Sequence, residues 1–246
     1  MRKLLWKEWH EQSWKLGFGC LVLSALAWIG LRSRIIADET MVEWVCFIGF
    51  TLLPILSSTG LVPAERAEGS LESLLAMPIS PWRILAAKTV MGMLLCAGPM
   101  AVAMVVSVLA AGGREMAENQ MLTLYLRSAL ACSSLFIWMM ALTIRLPSEA
   151  RAALVAVGLL IIFTIATGAI VARVATQGDW TSATAWIHSL SPLSFVFWPS
   201  LYRPNSHRWE TLTPNWPMIG LGQVLALGLL WIWSTSQLVK SVESRS

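Results

Sequence analysis

Charge is scarce in this chain: acidic and basic residues make up 13% of its 246 positions, whereas 56% are hydrophobic. That balance, with a mean hydropathy of +0.64, excludes an ordinary soluble domain. Histidine is nearly missing, and its three copies (His10, His188 and His207) fall in an amphipathic segment and a loop, outside every long apolar run. No cluster of metal-ligand spacing therefore exists within those runs, and only His188 and His207 leave room for weak binding. The four cysteines, Cys20, Cys46, Cys96 and Cys132, lie in apolar runs without CxxC spacing and read as small packing residues. No Gly-Lys pair occurs, so there is no GxxxxGK[ST] and no P-loop to cradle nucleotide phosphates. Ser57-Ser58-Thr59-Gly60 has only a superficial likeness to a GxSxG site, because no histidine lies in an apolar run to activate a serine. Small-residue helix packing accounts for those residues.

What is abundant is apolar sequence in lengths that suit a bilayer. A helix needs about 20 mainly apolar residues to cross ~30 Å of hydrocarbon. Six such windows occur, at 16–31, 41–62, 89–111, 121–143, 152–172 and 217–239, the first being short. The expected fold is an all-α integral membrane protein of six transmembrane helices forming one domain over 1–246, with no soluble domain left over. Residues 1–15 are too charged and Trp-rich for a signal-peptide n-region, and no small-residue cleavage site lies beyond the first window, so that span is expected to be retained. With the N-terminus inside, eleven Lys and Arg fall on the cytoplasmic set of loops and six on the outer set, Arg127 lying within a span. The positive-inside bias puts both termini in the cytoplasm and accounts for the net charge of +4 without nucleic acid.

Several of the 14 tryptophans, including Trp44, Trp82, Trp180, Trp186, Trp216 and Trp233, lie near span ends, where interfacial anchoring explains them. In residues 1–15 a helical wheel gathers Leu5, Trp6 and Trp9, with Leu16 beyond, on one face. Lys3, Lys7, Glu8, Glu11 and Lys15 lie opposite. The expectation is an interfacial helix on the inner leaflet; a plain extension of the first span is the alternative, since Leu4 and Trp14 break the pattern. Two charges fall within spans, Glu43 and Arg127. Because such charges are costly, they are expected to face the interior or an outward cavity, as a pair, unless both snorkel to the outer interface.

Residues 63–88 form a charged segment between two apolar spans, expected in the cytoplasm. Pro63 ends the second span, Gly69 interrupts the chain six residues later, and Ser70 is placed to cap a short helix over 71–77, with Glu72 in its positive first turn. In it Leu71, Leu74 and Leu75 share a face, Glu72, Ser73 and Ala76 turn away, and Pro78 stops it. Ser80-Pro81 then starts the helix that enters the third span. An ordinary capped turn between spans would account for the same composition.

The pattern Glu65-Arg66-x-x-Gly69-x-Leu71-Glu72-x-Leu74-Leu75-x-x-Pro78-Ile79-Ser80-x-x-x-Ile84-x-x-x-Lys88 resembles the signature of type 2 permeases of ATP-binding-cassette (ABC) transporters. The resemblance extends over the chain: six spans, an amphipathic N-terminal connecting helix, cytosolic termini and a larger outer loop before the last span, here 173–216. Its apolar stretch 190–198, bracketed by Pro192 and Pro199, is similar to the family's membrane-dipping helices. The resemblance implies that 63–88 carries a coupling helix docking on a separate ATPase. Glu65, Arg66, Glu68, Gly69, Glu72, Leu74, Leu75 and Pro78, joined by Lys7 and Glu8 of the connecting helix, would form that interface. It further implies a non-catalytic permease, an exporter by family precedent, in the inner (plasma) membrane. The chain would bind no cofactor, ATP and Mg residing on the partner, and would pair as a homodimer or with a paralogous permease amid membrane lipid. The alternative is a stand-alone ion-coupled carrier, although Glu43 is the sole acid within a span. A membrane enzyme would need the nucleophile and base that are missing.

Overall fold

The computed structural model describes the backbone over residues 2–75, 79–112, 118–177, 181–197, 200–203, 208–211 and 215–243. Six helices are long and apolar enough to cross a membrane: α1 (Arg2–Ser33), α2 (Asp38–Leu61), α5 (Pro81–Ala111), α6 (Glu118–Thr143), α7 (Glu149–Gln177) and α9 (Trp216–Glu243). Two short helices, α3 (Pro63–Ala67) and α4 (Ser70–Leu75), join α2 to α5. Between α7 and α9 lie α8 (Ser182–Leu190), a 3-10 turn (Pro192–Phe195) and two antiparallel strands, β1 (Ser200–Arg203) and β2 (Arg208–Thr211).

The middle of the molecule is α2, α5 and α6. In α2 the buried positions Val42, Val45, Cys46, Gly49, Phe50, Leu53, Ser57 and Leu61 trace a helical stripe. Small residues permit close approach: the ring of Phe136 on α6 fills the space a side chain at Gly92 on α5 would need. Helix α1 lies along α5, while α7 turns Leu154, Ile161, Ile162 and Ile165 outward, as a lipid-facing helix does. The cysteines are all free, and Cys46, Cys96 and Cys132 are buried.

The structure departs from the sequence expectation in three places. The N-terminal segment is not a separate helix: α1 runs unbroken for 32 residues, about 48 Å, longer than the hydrocarbon. Its charged arc does not simply face water: Glu8 and the neighbouring Gln12 are buried against the bundle, Lys7 and Lys15 are half-buried and Glu11 is exposed, while Trp6, Trp9 and Trp14 point out. The stretch 190–197 is no continuous helix either, Trp198 and Pro199 lying outside the described residues. The helix there precedes it, as α8, and Pro192 opens a 3-10 turn instead. Finally, the outer loop carries a β-hairpin that the all-α reading did not anticipate, pairing Ser200 with Thr211 and Arg203 with Arg208.

Candidate functional site

The α2–α5 connection is shaped by its breakers. Helix α2 ends at Leu61, and Pro63 occupies the first turn of α3, where its missing N–H costs nothing. Gly69, at φ +74°, turns the chain out of α3, a conformation that a residue with a Cβ resists. Ser70 opens α4, and its hydroxyl donates to the Glu65 carbonyl (3.3 Å) rather than capping α4. Ser80 is the N-cap residue of α5 with Pro81 next, but its side chain makes no cap bond. Within α4, Leu71 and Leu74 are buried, so the Leu74 side chain packs on its own chain. The side chains of Glu72 and Leu75, and all of Pro78, lie outside the described residues.

Beneath this connection is a buried charge cluster. Lys88, near the start of α5, is 1% exposed and its ammonium lies against three oxygens: Glu8 Oε1 at 2.8 Å, Glu65 Oε2 at 2.7 Å and the Leu61 carbonyl at 2.8 Å. Two of these contacts, to Glu8 Oε1 and the Leu61 carbonyl, are hydrogen bonds, whereas Glu65 Oε2 is held as an ion pair without a hydrogen bond. Glu65 is bridged again through Oε1 by Lys7 Nζ at 2.7 Å, and Lys7 also reaches Glu11 at 3.4 Å. Glu8 is fully buried. Two buried carboxylates, Lys88 and the half-buried Lys7 thus join α1, α3 and α5, and Gln12 of α1 adds a hydrogen bond to the Gly60 carbonyl of α2 (3.3 Å). Burying such charges is costly unless they are paired, and here each buried carboxylate has a lysine within ion-pair distance, while Glu8 Oε2, Glu65 Oε2 and Gln12 Oε1 lack a hydrogen bond among the described residues.

The carboxylates of Glu8, Glu11 and Glu65 approach one another as metal ligands would. Yet the positive charge that they need is supplied by Lys7 and Lys88, which occupy the space between helices. The arrangement is suited to mechanical linkage rather than to ligand exchange.

Of the residues that the resemblance assigns to a docking interface, the structure turns Glu65 and Glu8 inward and leaves Lys7 half-exposed between them. Arg66 donates to the Arg145 carbonyl just beyond α6 (3.1 Å), tying in the next connection on that side. Glu68 and Gly69 are exposed at the tip of the α3–α4 turn. Lys88 as the hub, and Gln12 beside it, were not among the expected site residues. The signal for them is opposite charges in three segments, Lys7-Glu8, Glu65 and Lys88, each at a span end on one side of the membrane.

At the opposite end of the spans, Glu43 and Arg127 make no ion pair with each other. Glu43 is exposed and borders a cavity, while the Arg127 guanidinium lies 5.0 Å above the Trp216 ring. Nearby, Gln223 of α9 fastens the outer segment: its amide donates to the carbonyls of Ser189 and Ser191, both at 2.8 Å, and accepts from Ser134 of α6 at 2.6 Å. His188 in α8 is buried, and that burial holds its imidazole pKa below the ordinary value.

The sequence model of a family described as "ABC-2 family transporter protein" matches residues 20–230. A search of curated proteins found no match.

Proposed function

Because the chain belongs to the ABC-2 family of transporter proteins, and so is a multi-pass membrane subunit of an ABC transporter, we propose that it exports its substrate as a dimer driven by a separate ATPase. The ATPase, carrying ATP and Mg, docks from the cytoplasm on the exposed α3–α4 turn around Glu68 and Gly69. The N-terminus and C-terminus lie on that same side, and the membrane is the cell's inner (plasma) membrane. The chain itself binds no nucleotide.

The observation that carries this reading is the buried cluster around Lys88. Glu65 sits in α3, directly behind the docking turn, and is clamped to both α1 through Lys7 and α5 through Lys88. A displacement of α3 by the ATPase is therefore delivered to α1, α2 and α5 together, because a paired buried charge cannot be drawn away from its partners without exposing them unpaired. Alternating access then arises as the two copies of this rigid unit move against each other, with the substrate path between them.

The test is purification of tagged protein in mild detergent from its native host, comparing wild type with a Glu68→Lys, Glu72→Lys double variant at matched expression. Wild type is expected to bring down a near-equimolar ATPase that the variant loses. A correctly folded wild-type chain that never recovers an ATPase would overturn the proposal.

A further inference from the structure

The cavity beside Glu43 has a volume of about 480 Å³, within the range of small-molecule sites, and its lining is unevenly distributed. One wall is a run of aromatic rings. Trp44 and Phe47 of α2 meet edge-to-face at 6.1 Å, Phe47 and Phe50 at 5.4 Å, and Phe50 meets Phe197 of the outer segment at 6.3 Å. From Glu43 to Phe50 the helix descends about 10 Å, so the rings lead from the charged mouth of the cavity into the bilayer. Ser128 of α6 lines the facing side. Trp44 and Phe47 are each about half exposed, which leaves ring surface open to a ligand.

The charge at the mouth is a single carboxylate. Among the described residues Glu43 forms no ion pair, and the nearest cation on the facing helix, Arg127, is stacked on Trp216. Aromatic faces carry negative electrostatic potential and attract cations. A carboxylate beside the open ring surface of Trp44 and Phe47, with the edge-to-face rings continuing inward, is complementary to an apolar body with one positive charge. An anion would meet repulsion from Glu43, and a neutral apolar molecule would leave the carboxylate unused.

We propose that this cavity is a binding site for hydrophobic organic cations, with the positive centre at Glu43 and the apolar body along Phe47, Phe50 and Phe197. The site stands independently of the ATPase: binding is a property of the chain alone and is measured without nucleotide.

The probe is tetraphenylphosphonium, with tetraphenylborate as an anion of nearly the same shape. Binding is measured by equilibrium dialysis against the full chain in phosphatidylcholine nanodiscs, with empty nanodiscs as background. Saturable binding of the phosphonium at one site per chain is expected, without saturable binding of the borate. Glu43→Gln should weaken the phosphonium roughly tenfold, as expected for loss of one interfacial ion pair and its reinforcement of a cation–π contact. Phe47→Ala, at an exposed position, should weaken it as well. Equal binding of both ions, an unchanged affinity in Glu43→Gln, or no saturable phosphonium binding would each overturn the site. None of these results bears on recovery of an ATPase with the chain.

Discussion

Lys88 illustrates how much one side chain can hold at low dielectric. The oxygens around it come from α1, α3 and the end of α2, so removing the ammonium leaves Glu8 and Glu65 facing each other in a buried space. Lys88→Met is therefore expected to destabilise the protein by about 3–5 kcal/mol, seen as a large drop in thermal midpoint in detergent. Combining it with Glu8→Gln should recover part of the loss, because the second change removes one of the stranded charges. A loss below about 1 kcal/mol for Lys88→Met would contradict the ion-pair geometry. Lys7 offers the contrast: its side chain is 35% exposed, so water screens the pair, and Lys7→Ala should cost no more than about 1 kcal/mol. Gly69→Ala places a Cβ at φ +74° and should cost about 1–2 kcal/mol, read from the same melting curves. The distinction between these positions is not written in composition, since all the lysines contribute alike to a positive-inside count.

The six spans were legible as elements because each depends on local sequence, an apolar run bounded by Pro, Gly or charge. Pro63, Gly69 and Ser80-Pro81 punctuate the α2–α5 connection where the sequence indicates, for the same reason. The orientation of α1 was not legible, because the wheel ranks faces by polarity and assumes that the polar face meets water. Here Glu8 and Gln12 instead meet Lys88 and Gly60, partners 80 and 48 residues away, and the tryptophan face turns outward. The hairpin escaped notice because its strands are four residues each, too short for a period to register. At the outer end, Gln223 is an element-scale fastener linking α9, α6 and the segment after α8. Gln223→Leu should cost about 1–2 kcal/mol and make the outer segment more susceptible to protease added from that side. His188 in the same segment binds protons less readily when folded than when unfolded, since burial lowers its pKa. Stability should therefore fall as the pH drops below the ordinary histidine value of 6.5. His188→Asn should flatten that part of the pH profile in a thermal-melt series.

At the scale of the whole molecule, a chain of six candidate membrane spans carries a braced unit at one end of those spans. The brace unites α1, α3 and α5 through charges and α2 through Gln12, and it lies behind an exposed turn at Glu68. Such a brace suits the separate ATPase proposed above, and membership of the ABC-2 family of transporter proteins fits that proposal. A self-sufficient carrier would instead concentrate its polar groups along a midplane path. The most direct measurement is native mass spectrometry of the complex released from membranes of the native host. Two copies of the 246-residue chain, or one with a paralogous permease, are expected bound to two ATPase subunits, with nucleotide retained on the ATPase. A homogeneous assembly of this chain alone, transporting in vesicles without ATP, would contradict that expectation.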